Sequence, residues 1–408
     1  MKKILFSIVF VLVSFASMAQ WSLIKGGNQG PELRCPYFVN GKVGWVVGGI
    51  AGTKSSVYKT VDAGKNWTIQ TATFTGVIRA IHAIDANTAV ACGEFGNIMK
   101  TTNGGTTWLA KTSGTGNLLR SIYFTNSTTG YAAGGLGTIL KTTDAGETWS
   151  ALSSGITQDL INIRFGSENV GYAVSSSSSF SNGIILKTAD AGATWTQVYT
   201  NTQGLLSVAV LNDKTILAGG GDNLGTPYSH SYIVKSTDGG TTWAEVFAGI
   251  NYRTMRAGEY NTEQSAWFLG DAGYIVGTAD GGTTWSELTV KNGYLGINFA
   301  NADSGYGCGI AGLIIRYNNV LRIGQDDPAS FNVYPNPMVT GATISLTTNA
   351  ADNSSLVIAD MQGKIVRTVS FNGERNVTID RGDLASGIYV IDLITEDQLV
   401  ERQKLVVQ

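Results

Sequence analysis

Thr60-Val61-Asp62-Ala63-Gly64-Lys65-Asn66-Trp67 is the first of six near-copies of one pattern, Ser/Thr-x-Asp-x-Gly-x-x-Trp. The others run Thr101 to Trp108, Thr142 to Trp149, Thr188 to Trp195, Ser236 to Trp243 and Thr278 to Trp285. Successive tryptophans lie 41, 41, 46, 48 and 42 residues apart, the period of a four-stranded propeller blade. Each position has a physical reason. The carboxylates of Asp62, Asp144, Asp190, Asp238 and Asp280 can accept backbone N–H bonds in a tight turn, and Asn103 can do so through its amide oxygen. Glycine supplies a backbone conformation that a side chain resists. Trp67, Trp108, Trp149, Trp195, Trp243 and Trp285 then pack over the turn. Apolar runs ending in lysine precede the boxes (Val57-Tyr58-Lys59, Ile98-Met99-Lys100), and a second strand follows each, so the box reads as the hairpin between a blade's third and fourth strands.

The inner strands recur as well. Gly130-Tyr131-Ala132-Ala133-Gly134 matches Gly171-Tyr172-Ala173-Val174 and Gly305-Tyr306-Gly307-Cys308-Gly309. The last copy leads into Ile314-Ile315-Arg316-Tyr317 with no box after it, giving seven inner-strand units to six boxes. Trp21-Ser22-Leu23-Ile24 reads like the strand that follows a box, and its distance to Arg34 matches that from Trp243 to Arg256. The expectation is an all-β protein: a seven-bladed propeller over 20–320, closed by its N-terminal strand so that no sheet edge is left free. Fifty-two glycines and only six prolines fit such a turn-rich chain.

The repeat resembles the Asp-box, or bacterial neuraminidase, repeat. The whole block resembles the photosystem II assembly/stability factor family of seven-bladed propellers. The box marks a fold and not a function, since hydrolases, sorting receptors and assembly factors share it.

Beyond the propeller the texture changes. Residues 321–330 read as a polar linker, and 331–408 as a small antiparallel Ig-like sandwich with alternating strands such as Ala342-Thr343-Ile344-Ser345-Leu346. Tyr334-Pro335-Asn336-Pro337, the Gly363-Lys364 turn, Gly387 with Tyr389, and the terminal Lys404-Leu405-Val406-Val407-Gln408 together resemble the type A C-terminal sorting domain of the type IX secretion system. That resemblance implies the secretion machinery as partner, passage through the periplasm, and a Bacteroidetes-like outer surface, with the passenger anchored or released. An ordinary carbohydrate-binding sandwich is the alternative, and few aromatics are spaced to make its sugar platform.

At the other end, Lys2 and Lys3, an apolar run from Ile4 to Phe15 and Ser17-Met18-Ala19 form a signal peptide over 1–19, with cleavage before Gln20. No other segment is apolar enough to span a bilayer. A net charge of −2 gives no general pull toward nucleic acid. Cys35, Cys92 and Cys308 read as small buried residues or as one bridge plus a free thiol. No spacing suggests a metal site or a cofactor, and a monomer is expected.

Aligning the starts of the inner strands puts Leu33-Arg34, Ile78-Arg79, Leu119-Arg120, Ile161-Asn162, Leu206-Ser207, Met255-Arg256 and Leu295-Gly296 in one column. Equivalent positions of a ring converge on its channel. Arg34, Arg79, Arg120 and Arg256 would then form a cationic mouth for an acidic peptide or carboxylated glycan. The competing reading has each arginine tying neighbouring blades together. Glu94 and Asp271 fall in second-to-third-strand turns on the same face, as solvated turn residues or as a hydrolytic pair. The leading expectation is a non-enzymatic secreted binding or scaffold propeller with a protein or glycan ligand. A sialidase-like or xyloglucanase-like hydrolase is the alternative, without a convincing tyrosine–glutamate pair to support it.

Overall fold

The computed structural model describes residues 21–25, 30–50, 55–70, 74–177, 181–221, 230–251, 253–289, 293–318, 331–346, 354–360, 365–372, 374–395 and 398–408. The expected signal peptide, linker and Gly363-Lys364 turn lie outside them. The chain divides into two units, Leu23–Tyr317 and a C-terminal unit that takes up Asn318–Gln408.

The first unit contains seven four-stranded sheets among the described residues. Six are consecutive meanders: blades one (32–70), two (78–111), three (119–152), four (160–203), five (205–251) and six (255–289). In the seventh, Tyr294–Asn301, Ser304–Gly309 and Ile314–Asn318 are joined by Trp21–Lys25 as the outermost strand. The innermost strands touch one another in sequence, and that of blade seven returns to that of blade one. The sheets therefore close into a ring.

Sheets standing side by side are buried on both faces, so their second strands carry little polarity: Ala89–Gly93 and Gly130–Gly134 are buried at every residue. The core is made at the blade junctions. One cluster joins Ala80, Val90, Cys92 and Ile98 of blade two to Leu119, Ile122, Phe124 and Leu140 of blade three. The recurring Gly-Tyr pair has its origin here. A Cβ on Gly130 would sit 2.7 Å from the Phe124 ring, and one on Gly171 2.5 Å from Phe165. The adjacent tyrosine reaches the next blade: Tyr131 Oη donates to the Ala191 carbonyl at 2.7 Å, and Tyr306 Oη to that of Ala63 at 3.2 Å across the ring's closure.

The boxes form the turns that the sequence suggested. Thr60 Oγ1 accepts the Gly64 N–H at 2.9 Å and donates to Asp62 Oδ1, which accepts the Asn66 N–H. The same N–H bond reaches Asp144, Asp190, Asp238 and Asp280 at 2.9 Å, and the amide oxygen of Asn103. Two successive residues turn left-handed, as at Ala145 (φ 60°) and Gly146 (φ 84°). Trp149 packs edge-on to Phe124 and donates to the Gly146 carbonyl. The lysine before the box clamps the next blade's box: Lys59 to Gly104, Lys141 to Ala191 and Lys235 to Gly281, each through its ammonium to a carbonyl.

The C-terminal unit is two antiparallel sheets. One holds Phe331–Tyr334, Gly341–Leu346 and Asn376–Asp380. The other holds Ile365–Phe371, Ser354–Asp360, Gly387–Thr395 and Gln398–Val407. Burial alternates along Gly341–Leu346, and Ile344, Leu356, Ile358, Ile391 and Leu405 share one core. Tyr334-Pro335 and Asn336-Pro337 are cis peptides. Asn336 binds the last strand twice, donating to the Lys404 carbonyl at 2.7 Å and accepting the Val406 N–H at 2.8 Å. Tyr334 is exposed, whereas Tyr389 is buried with its hydroxyl on the Ala385 carbonyl.

Candidate functional site

Every inner strand opens with a β-bulge. In blade one the register runs Leu33↔Gly48 and then Cys35↔Val47, leaving Arg34 unpaired, and the same slip recurs in the other six. A bulged residue is released from the alternation of its strand and can be aimed elsewhere. The bulged column is Arg34, Arg79, Arg120, Ile161, Leu206, Arg256 and Leu295, and all seven line a central cavity of about 460 Å³. The expected column is thus corrected in three blades. Asn162, Ser207 and Gly296 lie one position further: these three strands open on two apolar residues, Leu160-Ile161, Leu205-Leu206 and Tyr294-Leu295, and it is the second of each pair that is bulged. The boxes lie at the opposite end of the sheets, since Thr142 pairs with Gly130 while Leu119 pairs with Gly134.

The four arginines do surround one mouth, but they do not form a field of free positive charge. Arg34 pairs with Glu32, Arg79 with Glu94 at 2.5 Å, and Arg120 with Asp159 at 2.9 Å. Arg256 grips Asp271 with two nitrogens at 2.9 and 3.0 Å. Only the Arg120–Asp159 pair bridges two blades; the other three lie within one. Burial, reinforced by Arg79 nearby, pushes the Arg34 pKa down to about 10, so it stays charged at neutral pH. Arg34, Arg79 and Arg120 each engage a carboxylate through Nη2, while each Nε is buried without a hydrogen-bond partner among the described residues.

Glu94 and Asp271 prove to be the arginines' partners. Glu94 is partly desolvated, yet the Val77 N–H and Arg79 hold its pKa below the usual value. Asp271 also accepts from the Thr254 hydroxyl. A glycosidase acid needs a raised pKa, and Glu94 is shifted the other way. The box aspartates are turn formers; hydrogen bonds from Thr194 pull Asp190 down to about 2.

Three residues beyond the bulge lies a second ring that the sequence reading missed: Tyr37, His82, Tyr123, Arg164, Glu259 and Asn298 all line the cavity. Tyr37 Oη and His82 Nε2 are hydrogen-bonded at 2.9 Å, and the Arg164 guanidinium lies over the Tyr123 ring at 5.6 Å. Burial and Arg164 hold His82 neutral, at about 3. Desolvation raises Glu259 to about 7 against the opposing pull of Arg164. The readable signal was a charge set between apolar neighbours on an innermost strand, as in Ile163-Arg164-Phe165.

The family described as the secretion system C-terminal sorting domain matches residues 332–408. The C-terminal unit is a sorting domain of that family. It directs export by the type IX secretion system to the cell surface or the extracellular space. The sorting domain's Tyr-Pro-Asn-Pro segment is the one that Asn336 fastens to the final strand. The first unit's fold is shared with solved propellers. YCF48 bound to a D1 peptide is 20% identical, with 74% of this chain and 95% of that one covered and a TM-score of 0.59. PorZ of Porphyromonas gingivalis, a surface component of the type IX secretion system, is 16% identical over 91% of this chain and 59% of its own, at 0.54. The GH74 enzyme of Niastella koreensis is 15% identical over 92% and 66%, at 0.52. At these identities the likeness is one of fold. The ulvan lyase NLR42 of Nonlabens ulvanivorans is 35% identical over 91 residues, which span 22% of this chain and 16% of the lyase.

Proposed function

We propose that this is a secreted, non-enzymatic binding propeller whose arginine-lined mouth takes an acidic segment of a partner protein. The observation that carries the reading is the run of Arg34, Arg79 and Arg120 on consecutive blades, each with an unpartnered buried Nε at the edge of one cavity. The three side chains are part-exposed around the cavity, so a ligand carboxylate can reach their guanidiniums. Glu32 and Asp159 are part-exposed and can yield their arginines to a ligand carboxylate, whereas Arg256 is held bidentately and stays a fixture. The propeller of YCF48 with its D1 peptide supplies the precedent for a peptide on such a fold. Glu94 and Asp271, the pair that the sequence offered a hydrolase on this face, are engaged by Arg79 and Arg256.

The test uses the full chain, an array of acidic peptides, a glycan array and a panel of fluorogenic glycosides. Peptide binding should weaken at least tenfold in Arg34→Ala/Arg120→Ala and fall with added salt. Turnover of a glycoside, or peptide binding unchanged in the double variant while its melting temperature drops, would refute the proposal.

A further inference from the structure

The free charges of the channel lie below its mouth. Each rim arginine is matched to a carboxylate, but Arg164 and Glu259 on the second ring are in no ion pair among the described residues. They sense each other only across space. Arg164 uses Nη1 on the Ile163 carbonyl and the Ser121 hydroxyl, and Glu259 accepts from the Asn298 amide at 3.3 Å. Blade five stands between their blades and contributes only Ala209 at the equivalent position, which leaves the interval open. The other half of the ring is aromatic. Tyr37 and His82 satisfy each other, their rings 4.2 Å apart, and Tyr123 turns its hydroxyl to the Phe165 carbonyl at 3.4 Å. Their polar ends being engaged, that wall offers a ligand mainly carbon.

Holding one cation and one anion apart in a desolvated cavity is costly, and a molecule with complementary poles removes the cost. We infer that the channel floor binds a free α-amino acid with an apolar or aromatic side chain, its ammonium on Glu259, its carboxylate on Arg164 and its side chain against Tyr37 and Tyr123. The cavity volume is within the range of small-molecule sites, roughly 300–1,000 Å³. A second carboxylate on the ligand would be repelled by Glu259, and an amine lacking the acid would leave Arg164 unanswered. This site lies three residues deeper in the cavity that the arginine mouth opens, and it rests on different residues from the peptide-binding reading.

Binding should also move a proton. Glu259 faces Arg164, Tyr37, Tyr123 and Cys35 and accepts from the Phe299 N–H and the Asn298 amide, and its carboxyl titrates near 7. An incoming ammonium favours the ionised form, so complex formation near neutral pH releases a proton to the buffer.

The test is calorimetry and thermal shift on the full chain with each of the twenty free L-α-amino acids, alongside the N-acetyl and the amide derivative of each. An apolar or aromatic amino acid should bind and raise the melting temperature. Blocking either end should weaken it at least tenfold, and so should Glu259→Gln or Arg164→Gln. The heat should differ between buffers of unlike ionisation enthalpy at pH 7. No binding by any free amino acid overturns the inference, as does binding indifferent to both blocked ends. The derivatives decide the matter on the unaltered protein should either variant fail to fold.

Discussion

The Lys187 ammonium of blade four donates to the Gly239 carbonyl in the box of blade five, at 2.7 Å. The same ammonium lies 5.9 Å from the centre of the Tyr172 ring. The lysine that ends a third strand is therefore a clasp between blades, and it falls on a carbonyl made available by a left-handed turn. Removing it in Lys187→Met should cost about 1.5–3 kcal/mol, the value of a charge-assisted hydrogen bond, with the fold retained. Denaturant unfolding followed by tryptophan fluorescence measures this; a midpoint within error of the parent would show that the clasp contributes nothing.

Ala63, Ala145 and Ala191 occupy left-handed positions where the other three boxes have Gly104, Gly239 and Gly281. Alanine pays a steric penalty there that outweighs the entropy glycine loses on folding. Ala191→Gly should raise stability by about 0.5–1 kcal/mol, and a loss of that size in the same unfolding assay would contradict the turn geometry.

Glu259 makes folding pH-dependent in an unusual direction for a carboxyl. Burial raises its folded pKa to about 7, above the value of an exposed glutamate, so the folded state holds a proton that the unfolded state has released. Its contribution is complete below the unfolded value near 4.3 and fades as pH climbs through about 7. The melting temperature should accordingly fall across that window in the parent and fall less in Glu259→Gln. Parallel curves for the two proteins would remove the effect.

Cys35, Cys92 and Cys308 are all free thiols, which settles the choice that the sequence left open. Burial pushes the Cys92 and Cys308 thiols up, keeping them protonated and slow to react. A thiol reagent should label neither in the native protein and all three after denaturation, with the same count without reductant.

Asn336 provides both bonds that pin the Tyr-Pro-Asn-Pro segment to the chain's final strand. Asn336→Ala should destabilise the sorting domain by about 1–2 kcal/mol and reduce surface labelling of the exported protein. The propeller's own unfolding transition should not move.

The fold was legible because its punctuation repeats. A box of fixed composition recurs at blade spacing, and Gly-Tyr recurs in blades three, four and seven, where the rings of Phe124, Phe165 and Phe299 close on Gly130, Gly171 and Gly305. The cationic column was legible as residue types, but its register was not. In three blades the bulged position is itself apolar and follows another apolar residue, so Ile161, Leu206 and Leu295 read as the residue before the bulge and were passed over for their successors. Three of the carboxylates that neutralise the rim come from loops and turns, where neighbours in space are distant in sequence, as Asp159 is from Arg120; Glu32 stands two residues before its arginine on the same strand. The second ring was hidden for a different reason. Tyrosine, histidine, arginine, glutamate and asparagine take turns at one position, and a repeat search sees only what stays the same.

The join between the two units has a mechanical meaning. The chain leaves the ring at Asn318, the end of Ile314–Asn318, and that strand has a hydrogen-bonded neighbour on each side, Trp21–Lys25 and Ser304–Gly309. A pull delivered through the tail thus enters an interior strand and must shear two ladders together, where an edge strand would peel from one. On a protein sent to the outside of a cell, strain carried by the tail would be shared between two neighbours at the moment it reaches the ring.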